Sequence, residues 1–138
     1  MSYDENNIFA KILRGELPCH KVYEDDKTLA FMDIMPRADG HALVIPKAAS
    51  RNLLDIDPAD MAAVMATVQK IARAQMKAFG ATGITVQQFN EPSGGQVVFH
   101  THVHVLPRHE GVKLRPHTGE MADNAVLAKM AEKLKAAL

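Results

Sequence analysis

The sequence has little cysteine, no long apolar run and no excess of charge of either sign. Its single cysteine, Cys19, excludes an internal disulfide and favours a reducing compartment. No stretch approaches the roughly 20 apolar residues of a membrane-spanning helix, and the N-terminal residues lack the basic start of a signal peptide. The 16 basic and 16 acidic residues argue against a nucleic-acid groove and a polybasic membrane anchor. We therefore expect a cytoplasmic enzyme or binding protein without nucleic-acid or membrane partners.

The 138 residues fit one domain, and no internal repeat or linker divides the chain. Hydrophobic patterning predicts helices at 7–13, 58–79 and 121–138, and strands at 20–24, 28–34, 41–45, 84–89 and 97–106. Asp57 and Pro58 suit the N-cap and first position of the second helix. The inner faces of the two long helices are predicted to carry Met61, Val64, Met65, Val68, Ile71, Ala72 and Met76, and Val126, Leu127, Met130 and Leu134. Loops too short for parallel crossovers favour the α+β class, a five-stranded antiparallel sheet with helices packed on one face.

Three histidines alternate along the last predicted strand, His100, His102 and His104. Alternate residues of a strand share a face, with neighbours ~6.6 Å apart along it. The pattern therefore predicts three imidazoles on one side of the sheet and Val103 and Val105 in the core. Such a group is costly to bury unless its members have hydrogen-bonding partners.

Three interpretations of these histidines remain open at this point. They could form a solvated polar face, although Thr, Ser, Lys or Glu would serve that purpose. A histidine pair two residues apart is also typical of zinc sites, with His41 as a possible third ligand. The third interpretation is nucleophilic catalysis at phosphorus, because a neutral imidazole is a competent nucleophile and a second imidazole can act as acid, base or orienting group.

The loop before the histidines, Asn90 to Gln96, favours catalysis at phosphorus. It contains the pair Gly94-Gly95, and adjacent glycines let backbone N–H groups converge on an anion. We expect a phosphate beside the histidines, held by these amides and by the Asn90 or Gln96 side chain.

The segment His-Thr-His-Val-His-Val-Leu at 100–106 resembles the signature of the histidine triad (HIT) family, His-x-His-x-His-x-x with apolar residues at x. Thr101 is a mild departure. The resemblance extends over roughly residues 6–109 and is strongest to Hint-type and bacterial HIT hydrolases. It includes Ile8-Phe9-Ala-Lys-Ile12 with Leu17-Pro18, Leu29-Ala-Phe31-Met32-Asp33-Ile34, and His41-Ala-Leu-Val-Ile45-Pro46-Lys47.

The resemblance implies an α+β domain that forms homodimers, in which two five-stranded sheets are joined into one. It also implies a nucleotide hydrolase or transferase, acting without a cofactor on adenosine phosphoramidates or dinucleoside polyphosphates. Attack on the α-phosphorus would give a nucleotidyl-histidine, and water would then release a nucleoside monophosphate. The alternative from another class is a nucleotide-binding or scaffold module with little turnover.

Roles for individual residues follow from the same resemblance. His102 would be the nucleophile, His104 and His100 would orient it and bind or protonate phosphate oxygens, and His41 would complete a chain of hydrogen-bonded histidines. Asp33 would accept the ribose hydroxyls. The remaining nucleotide contacts would come from base-pocket residues Phe9, Ile12, Leu17, Phe31 and Ile34, and from phosphate-facing residues Asn90, Gly95, Gln96 and Val97.

Each of these positions also has a simpler interpretation. Asp33 could stabilise a turn before Pro36, and His41 could lie at the surface. Four of the pocket residues could be ordinary core, namely Phe9, Ile12, Leu17 and Ile34. The other histidines, His20, His109 and His117, are expected in surface or loop positions.

Two departures from the family pattern limit the comparison. Hint-type proteins carry a serine, thought to assist the leaving group, where this chain has Val97. A proton for the leaving group must then come from His104 or solvent, which makes a preference for amine leaving groups doubtful. Some bacterial members bind structural zinc through cysteines and histidines, but Asn7, Ala10 and Ala49 occupy the matching positions, so we expect no metal.

Overall fold

The computed structural model describes residues 2–116 and 120–138, so His117 lies outside the described residues. Its elements are α1 (Ile8–Leu13), β1 (Lys21–Glu24), β2 (Thr28–Met32), β3 (Ala42–Pro46), α2 (Pro58–Ala78), β4 (Gly83–Gln87), a 3₁₀ turn (Pro92–Gly94), β5 (Val103–Arg108) and α3 (Asn124–Ala137). The strands form one antiparallel sheet in the order β1-β2-β3-β5-β4. The predicted five-stranded α+β architecture is confirmed.

The two long helices pack on one face of the sheet. Their N-caps explain where they begin: the Asp57 side chain accepts from Ala59 N–H, and the Asp123 side chain accepts from Ala125 N–H. The second cap places the start of α3 at Asn124, three residues after the predicted Met121. None of the helices in residues 2–116 and 120–138 is long and apolar enough to cross a membrane.

The buried faces of these helices differ in part from the predicted stripes. Met65, Met76 and Val126 are 42–49% exposed, whereas Thr67 and Gln75 are buried. Both polar side chains have partners, because Thr67 Oγ1 lies 2.7 Å from Thr28 Oγ1 and Gln75 Nε2 donates to two backbone carbonyls. Hydrogen bonding therefore allows polar residues at positions that the apolar pattern did not predict.

The central strands β2 and β3 are buried on both faces. Alternate residues face the long helices, and the others form a second cluster with α1 on the opposite side. This second cluster consists of Phe9, Leu29, Phe31, Leu43 and Ile45. Although both long helices share one face, α1 packs Phe9 on the other, beside the histidines.

The last strand begins later than predicted, at Val103 rather than Val97. Thr101 N–H donates to Ser50 O instead of joining a strand ladder, and the two hydroxyls lie 2.7 Å apart. The strand also passes through Pro107, where it pairs with Ile84 of β4. Its pairing with β3 reaches only Val105, so the missing N–H of the proline interrupts no ladder on that side.

Candidate active site

His102 lies just before β5 with its ring nitrogens in distinct roles. Its Nδ1 is 2.7 Å from the backbone carbonyl oxygen of His100. A carbonyl only accepts, so Nδ1 carries the proton and Nε2 carries the lone pair. The ring packs against Phe9 and His104, with centroid distances of 5.0 and 5.1 Å, and keeps 6% of its surface exposed. This arrangement leaves a nearly buried ring whose Nε2 is unprotonated.

His41 and His104 form a hydrogen-bonded pair beside this ring. Arg37 N–H donates to His41 Nδ1 at 3.1 Å, so the proton of a neutral His41 is on Nε2. That nitrogen lies 2.9 Å from His104 Nδ1 and donates to it. The proton of neutral His104 is consequently on Nε2, where it can serve as a donor to a ligand. Asp33 Oδ2 lies 3.4 Å from His41 Nε2 and 3.8 Å from His104 Nδ1.

His100 is buried, and both of its ring nitrogens have partners within the protein. Its Nε2–H donates to Pro46 O at 2.8 Å, and its Nδ1 accepts from the Tyr3 hydroxyl at 2.6 Å. The residue is 0% exposed. Both ring nitrogens of His100 are thus engaged within the protein, and its backbone carbonyl holds His102.

Burial keeps two of these imidazoles neutral. It lowers the pKa of His100 to about 4, outweighing the hydrogen bond to Pro46 O, which acts in the opposite direction. Burial also lowers the pKa of His102, against the opposing effect of the His100 carbonyl. A lowered pKa leaves the His102 lone pair available at neutral pH.

The loop before the histidines is held by hydrogen bonds of the buried Gln96 side chain. Gln96 is 4% exposed and uses both ends of its amide: Oε1 accepts from Glu91 N–H and Asn52 Nδ2, while Nε2 donates to the carbonyls of Arg51 and Val98. Two of these four bonds use both N–H donors of the amide, and the other two are accepted by its oxygen. Gln96 therefore shapes the loop, and it does not face a phosphate as the sequence predicted.

Other predicted phosphate contacts are also engaged inside the loop. Gly94 N–H donates to Glu91 O, and Gly95 N–H donates to Pro92 O. The Asn90 side chain accepts from Leu53 N–H and exchanges hydrogen bonds with Gln88. The Val97 side chain, by contrast, is 72% exposed.

The predicted base-pocket residues divide into two groups. Phe9 and Phe31 are buried in the second cluster, 5.4 Å apart between ring centroids. Ile12 packs on this cluster, whereas Leu17 and Ile34 are 39% and 43% exposed. The simpler interpretation as core thus holds for Phe9, and the exposed pair forms no part of the core.

Asp33 has two different oxygens. Oδ1 accepts from Met35 N–H at 2.8 Å, which is the turn role considered for it. Oδ2 is the oxygen beside His41 and His104. The carboxylate is partly exposed, at 17% of its side-chain surface, so it can meet a ligand as well as stabilise the turn.

A metal at the histidines would need a different hydrogen-bonding arrangement. Among the described residues, Asp33, His41 and His104 offer possible ligand atoms within 4.8 Å of one another. However, the two imidazole nitrogens concerned face each other across a 2.9 Å hydrogen bond. A metal bound by both would have to replace that bond and its proton.

Several residues around the site carry no signal in the sequence. Arg51 binds Glu91 through two nitrogens, at 2.7 and 3.0 Å, and stacks over Phe99 with its guanidinium carbon 4.3 Å from the ring centroid. Glu91 itself has a φ of 64°, which is uncommon for a residue with a side chain. Tyr3 joins the site from the other end of the chain. These contacts join residues 40 and 97 positions apart, so no local spacing could have predicted them.

Known proteins share both the sequence pattern and the fold of this chain. The model of the HIT domain matches residues 14–111. Adenylylsulfatase HINT3 of Arabidopsis thaliana is 43% identical over 103 residues, which cover 75% of this chain and 52% of that protein. This chain therefore spans about half the length of that relative.

Two solved structures share the whole fold. A Hit-like protein involved in cell-cycle regulation from Bartonella henselae, crystallised with an unknown ligand, superposes with a TM-score of 0.93 at 53% identity, covering 99% of this chain and 100% of that one. A zinc-bound histidine triad family protein from Mycobacterium smegmatis gives a TM-score of 0.86 at 34% identity, covering 96% and 92%.

Proposed function

The chain belongs to the HIT domain family, and on this premise we propose that it cleaves nucleotides at the α-phosphorus through a nucleotidyl intermediate on His102. Membership supports a nucleotide hydrolase or transferase in general. The observation that carries the finer proposal is the hydrogen bond from His102 Nδ1–H to His100 O, which leaves the Nε2 lone pair as the attacking group.

The reaction then has two balanced steps. In the first, His102 Nε2 forms a bond to phosphorus, and the leaving group departs with the electron pair of its own bond. An amine takes up one proton from His104 Nε2–H or solvent as it leaves, whereas sulfate or phosphate leaves unprotonated. In the second, water attacks phosphorus, the phosphorus–nitrogen bond breaks, and His102 returns as a neutral imidazole. The proton that water loses replaces the one given to an amine or passes to solvent, and the product is a nucleoside monophosphate.

His41 has a positioning role in this scheme. It receives Arg37 N–H at one nitrogen and donates to His104 with the other, which fixes the donor nitrogen of His104 toward the substrate. Asp33 Oδ2 would accept the ribose hydroxyls, and the exposed side chains of Leu17 and Ile34 would cover the base. We place the whole chain in one domain, since α3 packs into the same core as α2.

A panel of three substrates tests the function: an adenosine phosphoramidate, a diadenosine polyphosphate and adenylyl sulfate, the last suggested by the activity named for the Arabidopsis relative. Val97 offers no hydroxyl, and a missing general acid typically costs about 10²-fold or more when the leaving group needs a proton. We expect kcat/KM on adenylyl sulfate and the polyphosphate to exceed that on the phosphoramidate by about 10²-fold, because sulfate and phosphate leave without protonation.

Val97→Ser is the matched variant for this panel. It should raise kcat/KM on the phosphoramidate and change the other two values little. Equal rates on all three substrates would contradict the role assigned to position 97. Tight binding of adenosine monophosphate without turnover on any substrate would instead favour a nucleotide-binding module.

The pH dependence tests the state of the nucleophile. Because burial lowers the pKa of His102, the ring stays neutral as the pH falls through 6.5, the ordinary value for histidine. We expect the acid limb of the pH profile of kcat/KM on adenylyl sulfate to be centred below pH 6.5. An acid limb centred above pH 6.5 would show a protonated imidazole in the free enzyme and contradict the proposal.

A homodimer completes the proposal. In the described sheet β4 is an edge strand, paired with β5 along one side, and its Val86 is 45% exposed. Unpaired edges of this kind favour association of sheets. Light scattering should give twice the 15.1 kDa mass of the chain, whereas a monomer at micromolar concentration would contradict the assembly.

A further inference from the structure

The five residues before β5 have no strand ladder to hold them, although they include the nucleophile. We propose that Tyr3 is a positioning residue for the reaction, acting through His100 on His102. This inference rests on the proposed function for its catalytic consequence, but its structural part can be tested without turnover.

The direction of the hydrogen bonds determines what Tyr3 does. His100 Nε2 lies 2.8 Å from Pro46 O, which can only accept, so the proton of this ring is on Nε2. Its Nδ1 must then accept, and the Tyr3 hydroxyl donates to it at 2.6 Å. The two rings also meet edge to face, with centroids 5.7 Å apart. Tyr3 therefore supplies the second of the two bonds that fix the His100 ring.

A fixed His100 ring holds the carbonyl that orients the nucleophile. His100 is fully buried, and its backbone oxygen accepts from His102 Nδ1–H at 2.7 Å. The intervening Thr101 is held separately by Ser50 O. Loss of the phenolic bond would leave a buried nitrogen without its donor, and the backbone at this position would be restrained by one side-chain bond fewer.

The N-terminal arm, residues 2–7, connects Tyr3 to the loop as well. Arg51 Nη1 donates to Ser2 O at 3.3 Å, and the same guanidinium binds Glu91 at the start of the loop. At its other end the arm leads into α1 through the Asn7 cap. Tyr3 is thus held from both sides, as a positioning residue must be.

The chain offers a matched pair of variants, because it contains two tyrosines. Tyr3→Phe removes the hydroxyl at the site and keeps the ring. Tyr23→Phe removes a hydroxyl that is also hydrogen-bonded, to Asp25 and Lys70, but lies on β1 away from the histidines. Both variants should fold, since each retains its aromatic contact.

Two measurements on the full chain are compared across wild type and both variants. Nitrogen-15 NMR of the imidazoles reports which ring nitrogen is protonated and hydrogen-bonded. Steady-state kinetics on adenylyl sulfate reports kcat and KM. For Tyr3→Phe we expect the His100 Nδ1 resonance to move toward an unbonded nitrogen, the His102 resonances to show loss of the single Nδ1–H form, and kcat to fall about tenfold with KM nearly unchanged. Tyr23→Phe should match wild type in both.

Each contrary result has a defined meaning. Unchanged His100 and His102 resonances in Tyr3→Phe would overturn the inference, and so would altered resonances with wild-type kcat. An equal loss of kcat in Tyr23→Phe would also overturn it, because the effect would then be a general one. If wild type turns over no substrate, the proposed function fails, while the resonances still decide whether Tyr3 sets the state of His102.

Discussion

Replacing His102 with alanine should lower kcat by at least about 10⁴-fold on every substrate that the protein turns over, since removal of a catalytic nucleophile commonly has effects of this size or larger. The ring contributes the attacking nitrogen, and no other imidazole at the site presents an unprotonated nitrogen to a ligand. His104 accepts at Nδ1, and both nitrogens of His100 are occupied. His104 is therefore not expected to substitute for the missing nucleophile.

His20→Ala is the control for this experiment, because it makes the same chemical change at a histidine whose Nε2 contacts Asn124 on α3. Its kcat should equal that of wild type. Rapid quenching of wild type with labelled substrate in alkali should also trap nucleotide on the protein, since a phosphorus–nitrogen bond to imidazole survives base and breaks in acid. Turnover by His102→Ala at the wild-type rate, with no trapped nucleotide, would remove the covalent mechanism.

Gly40→Ala should lower the stability of the protein substantially. Gly40 has a φ of +85°, and a Cβ there would lie 2.5–2.8 Å from three ring carbons of Phe79. A left-handed conformation costs roughly 1–2 kcal/mol for a residue with a side chain, and overpacking adds roughly 1–3 kcal/mol. We expect the free energy of unfolding to fall by about 3 kcal/mol, with a Tm lower by roughly 10 °C.

Activity should fall as well, because Gly40 directly precedes His41. Its carbonyl accepts from Gln75 and its N–H contacts Met130 Sδ, so a shift at this residue disturbs the partner of His104. Gly80→Ala is the control: its φ is +60°, but nothing lies within 4 Å of its added Cβ. Thermal unfolding should show a loss of only about 1 kcal/mol there. Equal losses in the two variants would show that the contact with Phe79 relaxes freely.

The fold could be predicted largely because its signals are local. Asp57 caps its helix as predicted, and the elements other than β5 begin and end within about three residues of the positions that their apolar periods predict. The error at β5 has an equally local cause. Histidines at alternate positions predict a strand from Val97, but the N–H of Thr101 bonds to Ser50 O and not to a neighbouring strand. Alternation alone therefore cannot separate a strand from an extended segment held by side chains.

The sequence predicted which residue types gather at the candidate site, but not how their side chains are oriented. Imidazoles near a glycine-rich loop indicated phosphorus chemistry, but the direction of each ring depends on Pro46, Arg37 and Tyr3, which the sequence does not connect to them. Gln96 and Asn90 carry side-chain amides that could bind a phosphate, but both amides form hydrogen bonds within the protein instead. Hydrogen bonds between residues far apart in the sequence determine these side-chain orientations, and neither composition nor local spacing predicts such bonds.

Strand β3 holds two of the histidines near His102. His41, which bonds to His104, lies immediately before the strand, and the carbonyl of Pro46, which bonds to His100, lies at its end. All five of its residues are buried between two neighbouring strands. A strand that is buried and paired on both sides is rigid, so the positions of His41 and the Pro46 carbonyl can shift little when a different substrate binds. Leu17, Ile34 and Val97 are exposed and lie outside the core. On the proposed function, substitutions at these three positions would change which nucleotides are cleaved, while the buried strand would preserve the chemistry of cleavage.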